Sequence, residues 1–171
     1  MESTQSTQGT AESVRAALDG WGVPYGWVEI DPEFADTAQF CERYGFTLED
    51  SVNCILVVGK TEPRRYAACL VQATRRLDVN RAVKKLLGAR RVSFASAEET
   101  VELTGMQVGG VTPVALPPGM PVYVDAPVLE RAEIVLGGGD RAGKLLVAPE
   151  ALLAHLPGAE VVDGLSTAPP V

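Results

Sequence analysis

The chain has 171 residues, of which 46% are hydrophobic, enough for one domain with a substantial core. Its formal net charge is −7 and its pI is about 4.8, which excludes indiscriminate nucleic-acid binding through a basic surface and makes DNA an unexpected partner. No apolar run approaches the roughly 20 residues of a membrane span, and the opening MESTQSTQGT lacks the basic and apolar regions of a secretory signal, so a cytoplasmic protein without a membrane partner is expected.

Residues 1–9 read as a disordered arm, 10–163 as a single domain and 164–171 (GLSTAPPV) as a flexible tail. A first helix is expected over 10–19, capped by Thr10, with Val14, Ala17 and Leu18 inward. Gly20, Gly22 and Pro24 end it. A short strand follows over 26–30. Asp36 or Thr37 then starts a helix that runs to Tyr44 and closes at Gly45.

Residues 52–58 are an apolar, β-branched run closed by Gly59, and a second run spans 66–72 after the Lys60-Thr61-Glu62-Pro63-Arg64 turn. Together they predict a hairpin. Asp78 caps a helix over 79–87 that stops at Gly88, and 91–94 is a short strand. Ser96 and Glu99 form a capping box for a helix ending near Gly105. Residues 105–121, rich in Gly and Pro, are expected to be irregular. Strands follow over 121–125, 132–136 and 144–148. A helix begins at Pro149-Glu150 and runs through His155, and a last strand covers 159–162. Helices interspersed with short strands and a hairpin give an α+β fold on a mixed sheet, not a regular βαβ array.

Several positions bear on chemistry. Asn53 lies near the start of the strand over 52–58, where asparagine is a poor strand former and a buried amide needs partners. It is either satisfied by a neighbouring loop or aimed at a ligand. Gly109-Gly110-Val111-Thr112-Pro113 is either a connecting loop or a backbone cradle whose N–H groups hold a phosphate or a developing oxyanion. Gly137-Gly138-Gly139-Asp140-Arg141 reads as a hairpin turn and lacks the GK[ST] of a P-loop. His155 is the single histidine, and no nucleophile motif surrounds it. Cys41, Cys54 and Cys69 have no metal-type spacing and read as buried small hydrophobes; no metal or cofactor is expected. The basic residues crowd the middle of the chain, from Arg64-Arg65 to Arg90-Arg91, and read as a solvated helix face or a local basic patch.

The order of these motifs resembles a known family. Thr37-Ala38 at a helix start is followed by the strand over 52–58, Arg76-Leu77-Asp78 and Gly88-Ala89-Arg90-Arg91-Val92. Leu103-Thr104-Gly105, the Gly109-Gly110-Val111-Thr112-Pro113 loop and Pro121-Val122-Tyr123-Val124-Asp125 come next. The last motif is Leu146-Val147-Ala148-Pro149-Glu150-Ala151-Leu152 after a glycine turn. Over roughly residues 35–162 the chain is similar to the YbaK/EbsC aminoacyl-tRNA deacylases, related to the editing domain of bacterial prolyl-tRNA synthetase.

The resemblance implies a mixed, partly barrel-like sheet surrounded by helices. It implies trans-editing: hydrolysis, without a metal, of the ester of a misacylated tRNA carrying a small amino acid. The implied partners are the acceptor end of aminoacyl-tRNA and, secondarily, an aminoacyl-tRNA synthetase. The implied catalytic positions are Asn53, Gly109 and Gly110, with Thr37, Thr112, Pro113, Gly138, Gly139 and Asp140 shaping the substrate pocket.

Three departures stand out. Asn53 occupies the place of a lysine in the family's V-K-T-L-V strand. Asp36 stands where a histidine is frequent, and Gly139-Asp140-Arg141-Ala142 replaces a GRRG turn. Lys60 lies seven residues beyond Asn53, roughly 23 Å along a regular strand, too far to substitute. Lys144, just after the glycine turn, is the better candidate. The alternative expectation is a catalytically degenerate module that binds aminoacyl-adenosine, a tRNA end or a synthetase without hydrolysis. A third, resting on fold alone, is an unrelated small-molecule hydrolase.

Overall fold

The structure, a computed structural model, describes residues 11–168; the expected arm over 1–9, the Thr10 cap and the last three residues lie outside it. In chain order the elements are α1 (Ala11–Trp21), β1 (Gly26–Glu29), α2 (Thr37–Tyr44), β2 (Val52–Gly59), β3 (Arg65–Gln72) and β4 (Arg76–Leu77). A π-helical turn (Val79–Val83) leads into α3 (Lys84–Leu87), followed by β5 (Val92–Phe94), α4 (Ala97–Thr104), β6 (Val122–Asp125) and β7 (Ile134–Gly137). The chain continues through β8 (Gly143–Val147), α5 (Pro149–Leu153), β9 (Ala159–Val162) and β10 (Ser166–Thr167).

The helix ends follow the local chemistry. Ser96 and Glu99 close a complete capping box on α4, and Asp78 accepts from the Arg81 N–H. Gly45, Gly88 and Gly105 end α2, α3 and α4 in the left-handed conformation, where a side chain would be strained.

The expected hairpin is present: β2 pairs antiparallel with β3 from Val52 opposite Gln72 to Gly59 opposite Arg65. It lies within a mixed sheet of order β5-β2-β3-β6-β9, in which β3, β6 and β9 are parallel neighbours. A second, antiparallel sheet has the order β1-β8-β7. The two meet where Ser51 bridges Val135 and the Val135 N–H donates to Asp50 O at 2.8 Å. This seam gives the sheets their partly barrel-like closure.

Strand alternation sorts the core. Val52, Leu56, Ala68 and Leu70 meet Ile134, Leu136, Leu145 and Val147 from the second sheet, closed by Val14 and Leu18 of α1. The other face of β2 and β3 carries Val57, Ala67, Cys69 and Val71, covered by Leu77, Val83, Leu87 and Leu165. Being buried on both faces explains why β3 reads as a continuous apolar run. A smaller cluster beneath α2 contains Ile30, Phe40, Cys41 and Val135.

The tail corrects the expectation of a flexible segment from residue 164. Leu165 is fully buried, and β10 pairs with β4, Ser166 opposite Leu77. Ser166 Oγ donates to buried Asp125 Oδ2 and accepts from Arg75 Nε at 2.6 Å, so a polar lock holds residues that look loose in isolation.

Candidate active site

A cavity of about 310 Å³ opens at the seam between the two sheets, lined by the start of β2, the start of α2, the Val108-Gly109 loop, the end of β7 and Lys144 of β8. It falls at the small end of ligand pockets, which run from roughly 300 to 1,000 Å³. Its wall is largely apolar, with Phe40, Leu56, Val111 and Leu136, and the polar groups are few.

Asn53 is one of them. The Thr37 hydroxyl donates to Asn53 Oδ1 at 2.9 Å, which fixes the amide and leaves both Nδ2 protons available. Thr37, Asn53 and Gly109 line one cavity. The Gly109 N–H has no acceptor among the described residues.

The remaining expected positions are placed differently. The Gly110 N–H, expected as a second donor, is used by Gln107 O at 2.8 Å, and its carbonyl accepts from Gly139 at 2.7 Å. Gly110 packs against the glycine turn so closely that a Cβ would lie 2.3 Å from Asp140 O. Its glycine is required by that backbone contact, not by a ligand. Thr112 is fully buried outside the cavity lining; its N–H points at Met106 Sδ and its hydroxyl is unpartnered. Pro113, Gly138, Gly139 and Asp140 are also outside the lining, and Gly137, one residue earlier, is in it. Asp140 instead accepts from the Ala142 N–H and shapes its own turn. His155 lies past α5, exposed and away from the cavity.

Arg141 ties three loops together at the rim. Its guanidinium donates to Val108 O at 2.7 Å, Pro32 O at 3.0 Å and Asp36 Oδ1 at 3.2 Å. The carboxylate that replaces a frequent histidine is thus already engaged. Sequence reasoning did not single out Arg141; the signal was a lone arginine in a turn otherwise made of small and acidic residues.

Lys144, the better candidate from the sequence to stand in for the implied lysine, lines the cavity. Alternation along β8 sends Leu145 and Val147 into the main core and puts Lys144 and Leu146 on the opposite face, under α2. Lys144 is only 6% exposed. Its Nζ donates to Gly109 O at 2.9 Å and lies 5.4 Å from the Phe40 ring centroid. Burial pulls its pKa down to about 8; the Arg141 charge adds to the fall, and Asp36 and Cys41 oppose it.

Cys54 lines the same cavity, and burial holds its thiol well above the ordinary range, so it presents an un-ionised thiol there. Burial likewise pushes Cys69 up to about 12. Among the described residues no group of three or more His, Cys, Asp or Glu converges as a metal site would require. No helix among them is long and apolar enough to cross a membrane.

Comparison with known proteins agrees with this architecture. The family model described as aminoacyl-tRNA editing domain matches residues 31–154, most of the chain and all the elements that line the cavity. Among solved structures, the hypothetical protein APE2540 is 30% identical with a TM-score of 0.80, over 90% of this chain and 99% of that one. A candidate trans-editing enzyme for prolyl-tRNA synthetase is 27% identical with a TM-score of 0.79, over 98% of this chain and 100% of that one. A scaffold protein used for epitope grafting is 25% identical with a TM-score of 0.78, again over 98% and 100%. The chain belongs to the YbaK-like family of aminoacyl-tRNA editing domains.

Proposed function

We propose that this protein is a trans-editing aminoacyl-tRNA deacylase that hydrolyses the ester of a misacylated tRNA carrying a small amino acid. Water adds to the ester carbonyl carbon, the carbonyl π pair moves to oxygen, and collapse expels the ribose oxygen, which takes the proton that water brought. Free amino acid and the tRNA hydroxyl result. The observation that supports this reading is that two residues lining one small cavity carry donors with no acceptor among the described residues. The Asn53 Nδ2 protons are oriented by Thr37, and the Gly109 N–H has no internal acceptor. Donors set in advance where oxygen gains charge are typically the largest contribution in acyl transfer.

The cavity size supports a small aminoacyl group. Each extra methylene in an apolar pocket discriminates by only about 1–3 kcal/mol, so rejection of larger residues rests on the lack of room. The partners are the acceptor end of aminoacyl-tRNA and, as a second partner, a synthetase that releases the misacylated product. The cytoplasm is the compartment in which both are met.

A second reading follows from the resemblance. Asn53 is neutral at the position where the resemblance implies a lysine, and charge-assisted hydrogen bonds are roughly twice as strong as neutral ones. On that reading the cavity binds an aminoacyl-adenosine or a tRNA end without cleaving it.

The two are separated by deacylation of alanyl-, cysteinyl- and seryl-tRNA, each with cognate and non-cognate tRNA, by wild type, Asn53→Ala and Asn53→Lys. Turnover of one substrate by wild type, reduced roughly 10²-fold in Asn53→Ala, supports the enzyme. Silence of wild type on every substrate, with activity gained in Asn53→Lys, supports the binding module.

A further inference from the structure

We propose that Lys144 supplies the positive charge of this cavity, its ammonium contacting the carbonyl oxygen of the bound aminoacyl ester and holding the oxyanion as water adds. This rests on the deacylase reading and identifies a catalytic residue on a different strand from the family's lysine.

The Lys144 ammonium is a charge without a counter-charge among the described residues. Lys144 is almost wholly buried, yet none of the ion pairs among the described residues includes it. The carboxylate whose charge acts on it, Asp36, is paired with Arg141 at 3.2 Å. An ammonium has three donors, and one is used, on Gly109 O. The face of Phe40 offers a weak second partner. Burying a charge without a partner opposes folding, and a methionine or leucine of similar size would relieve it. A cation kept under those conditions, on the wall of a cavity, points to a ligand that completes it.

Lys144 and its cross-strand neighbour on β7, Gly137, both line the cavity. The Gly110–Val111 backbone packs where a Gly137 Cβ would lie, with Val111 O at 2.4 Å, so no side chain from this position can reach the ammonium. Gly109, whose carbonyl Lys144 holds, also has an N–H without an acceptor among the described residues, and both residues line the cavity. Asn53 and Lys144 line the same cavity from β2 and β8. The neutral amide and the displaced cation divide the work that a lysine at position 53 would do alone. Lys144 keeps its proton throughout; the proton from water goes to the ribose oxygen.

The test is steady-state deacylation of the best substrate by wild type, Lys144→Met, Lys144→Arg and the double variant Asn53→Lys with Lys144→Met, each first checked for native circular dichroism and cooperative unfolding. Lys144→Met is expected to lower kcat roughly 10²–10³-fold, as loss of one oxyanion donor does, and the added Asn53→Lys to recover at least about tenfold of it. In wild type kcat/KM, which reports the free enzyme, falls as pH rises through about 8, and in Lys144→Arg that fall disappears, which a purely structural tether would not produce. A kcat in Lys144→Met within threefold of wild type overturns the proposal. If wild type cleaves nothing, the deacylase reading fails, and the cation is then judged separately by calorimetry with 3′-alanylamino-3′-deoxyadenosine. Binding at least tenfold weaker in Lys144→Met sustains Lys144 as the carbonyl contact, and unchanged binding overturns it.

Discussion

Lys144 Nζ and Gly109 O meet at 2.9 Å, so the ammonium that lines the cavity also anchors the loop that forms its roof. The bond is a modest return for burying a charge. Lys144 titrates near 8 in the folded chain and near 10.5 when exposed, so between those values the unfolded chain binds more protons. Stability therefore rises with pH across that window, and below it the ammonium is a standing penalty. Lys144→Met is expected to raise stability at pH 7 by about 1–2 kcal/mol, after allowing for the lost hydrogen bond. The gain should shrink as pH climbs past 8 and vanish above about 10.5. Urea unfolding of both proteins at pH 7 and pH 10.5 measures this; a variant less stable at pH 7 would contradict it.

Arg141 holds the same loop from the other side. It reaches Val108 O, Pro32 O and Asp36 Oδ1 with one planar group. A lysine cannot reproduce that fork. Arg141→Lys and Arg141→Ala are both expected to raise amide exchange across residues 107–110, with Arg141→Ala losing about 1.5–3 kcal/mol of stability, the range for hydrogen bonds to a charged group. The effect on deacylation should fall mainly on KM, since the guanidinium positions the loop and does not line the cavity. Exchange rates at wild-type levels in both variants would remove Arg141 from this role.

Thr112 carries the one buried side-chain polar atom without a partner among the described residues. An unsatisfied hydroxyl loses its hydration for nothing, at about 1–3 kcal/mol. Thr112→Val keeps the shape and removes the hydroxyl, so the denaturation midpoint should rise, by the equivalent of about 1 kcal/mol. A fall in the midpoint would mean that the hydroxyl has a bound water as partner.

Much of this architecture is local in origin, and that part is legible in the sequence. The β2–β3 hairpin declares itself by two apolar runs around a turn, and the ends of α2, α3 and α4 by Gly45, Gly88 and Gly105. Asn53 and Gly109, singled out in the sequence by the motifs around them, both line the cavity. The rest depends on distant partners. Lys144 stands in the run Gly143-Lys144-Leu145-Leu146-Val147, and only the packing of α2 over β8 buries its charge. Gly110 reads as a donor until its N–H is seen to close a turn on Gln107. Asp125, the buried partner of Ser166, lies 41 residues before it, so nothing near Ser166 announces the lock.

That lock makes the C-terminal segment part of the domain. Leu165 fills the cluster formed by Leu77, Val83 and Leu87, and full burial of a leucine is worth about 1.5–3 kcal/mol. Ser166 satisfies Asp125 directly, and Arg75 stands 3.8 Å from the same carboxylate. Ser166→Ala would leave Asp125 with that longer contact alone, at a cost of about 1–3 kcal/mol. Asp125→Asn should cost a similar amount, and the double variant less than the two together, because each single change removes the same bond. Removal of residues 165–171 should destabilise more than either substitution, since it also uncovers the Leu77 cluster and the β4 edge. Chemical unfolding of the four proteins gives the cycle and the truncation cost. Additive single effects would show that Ser166 and Asp125 act independently, and a truncation with wild-type stability would show that the segment after Gly164 adds nothing to the fold.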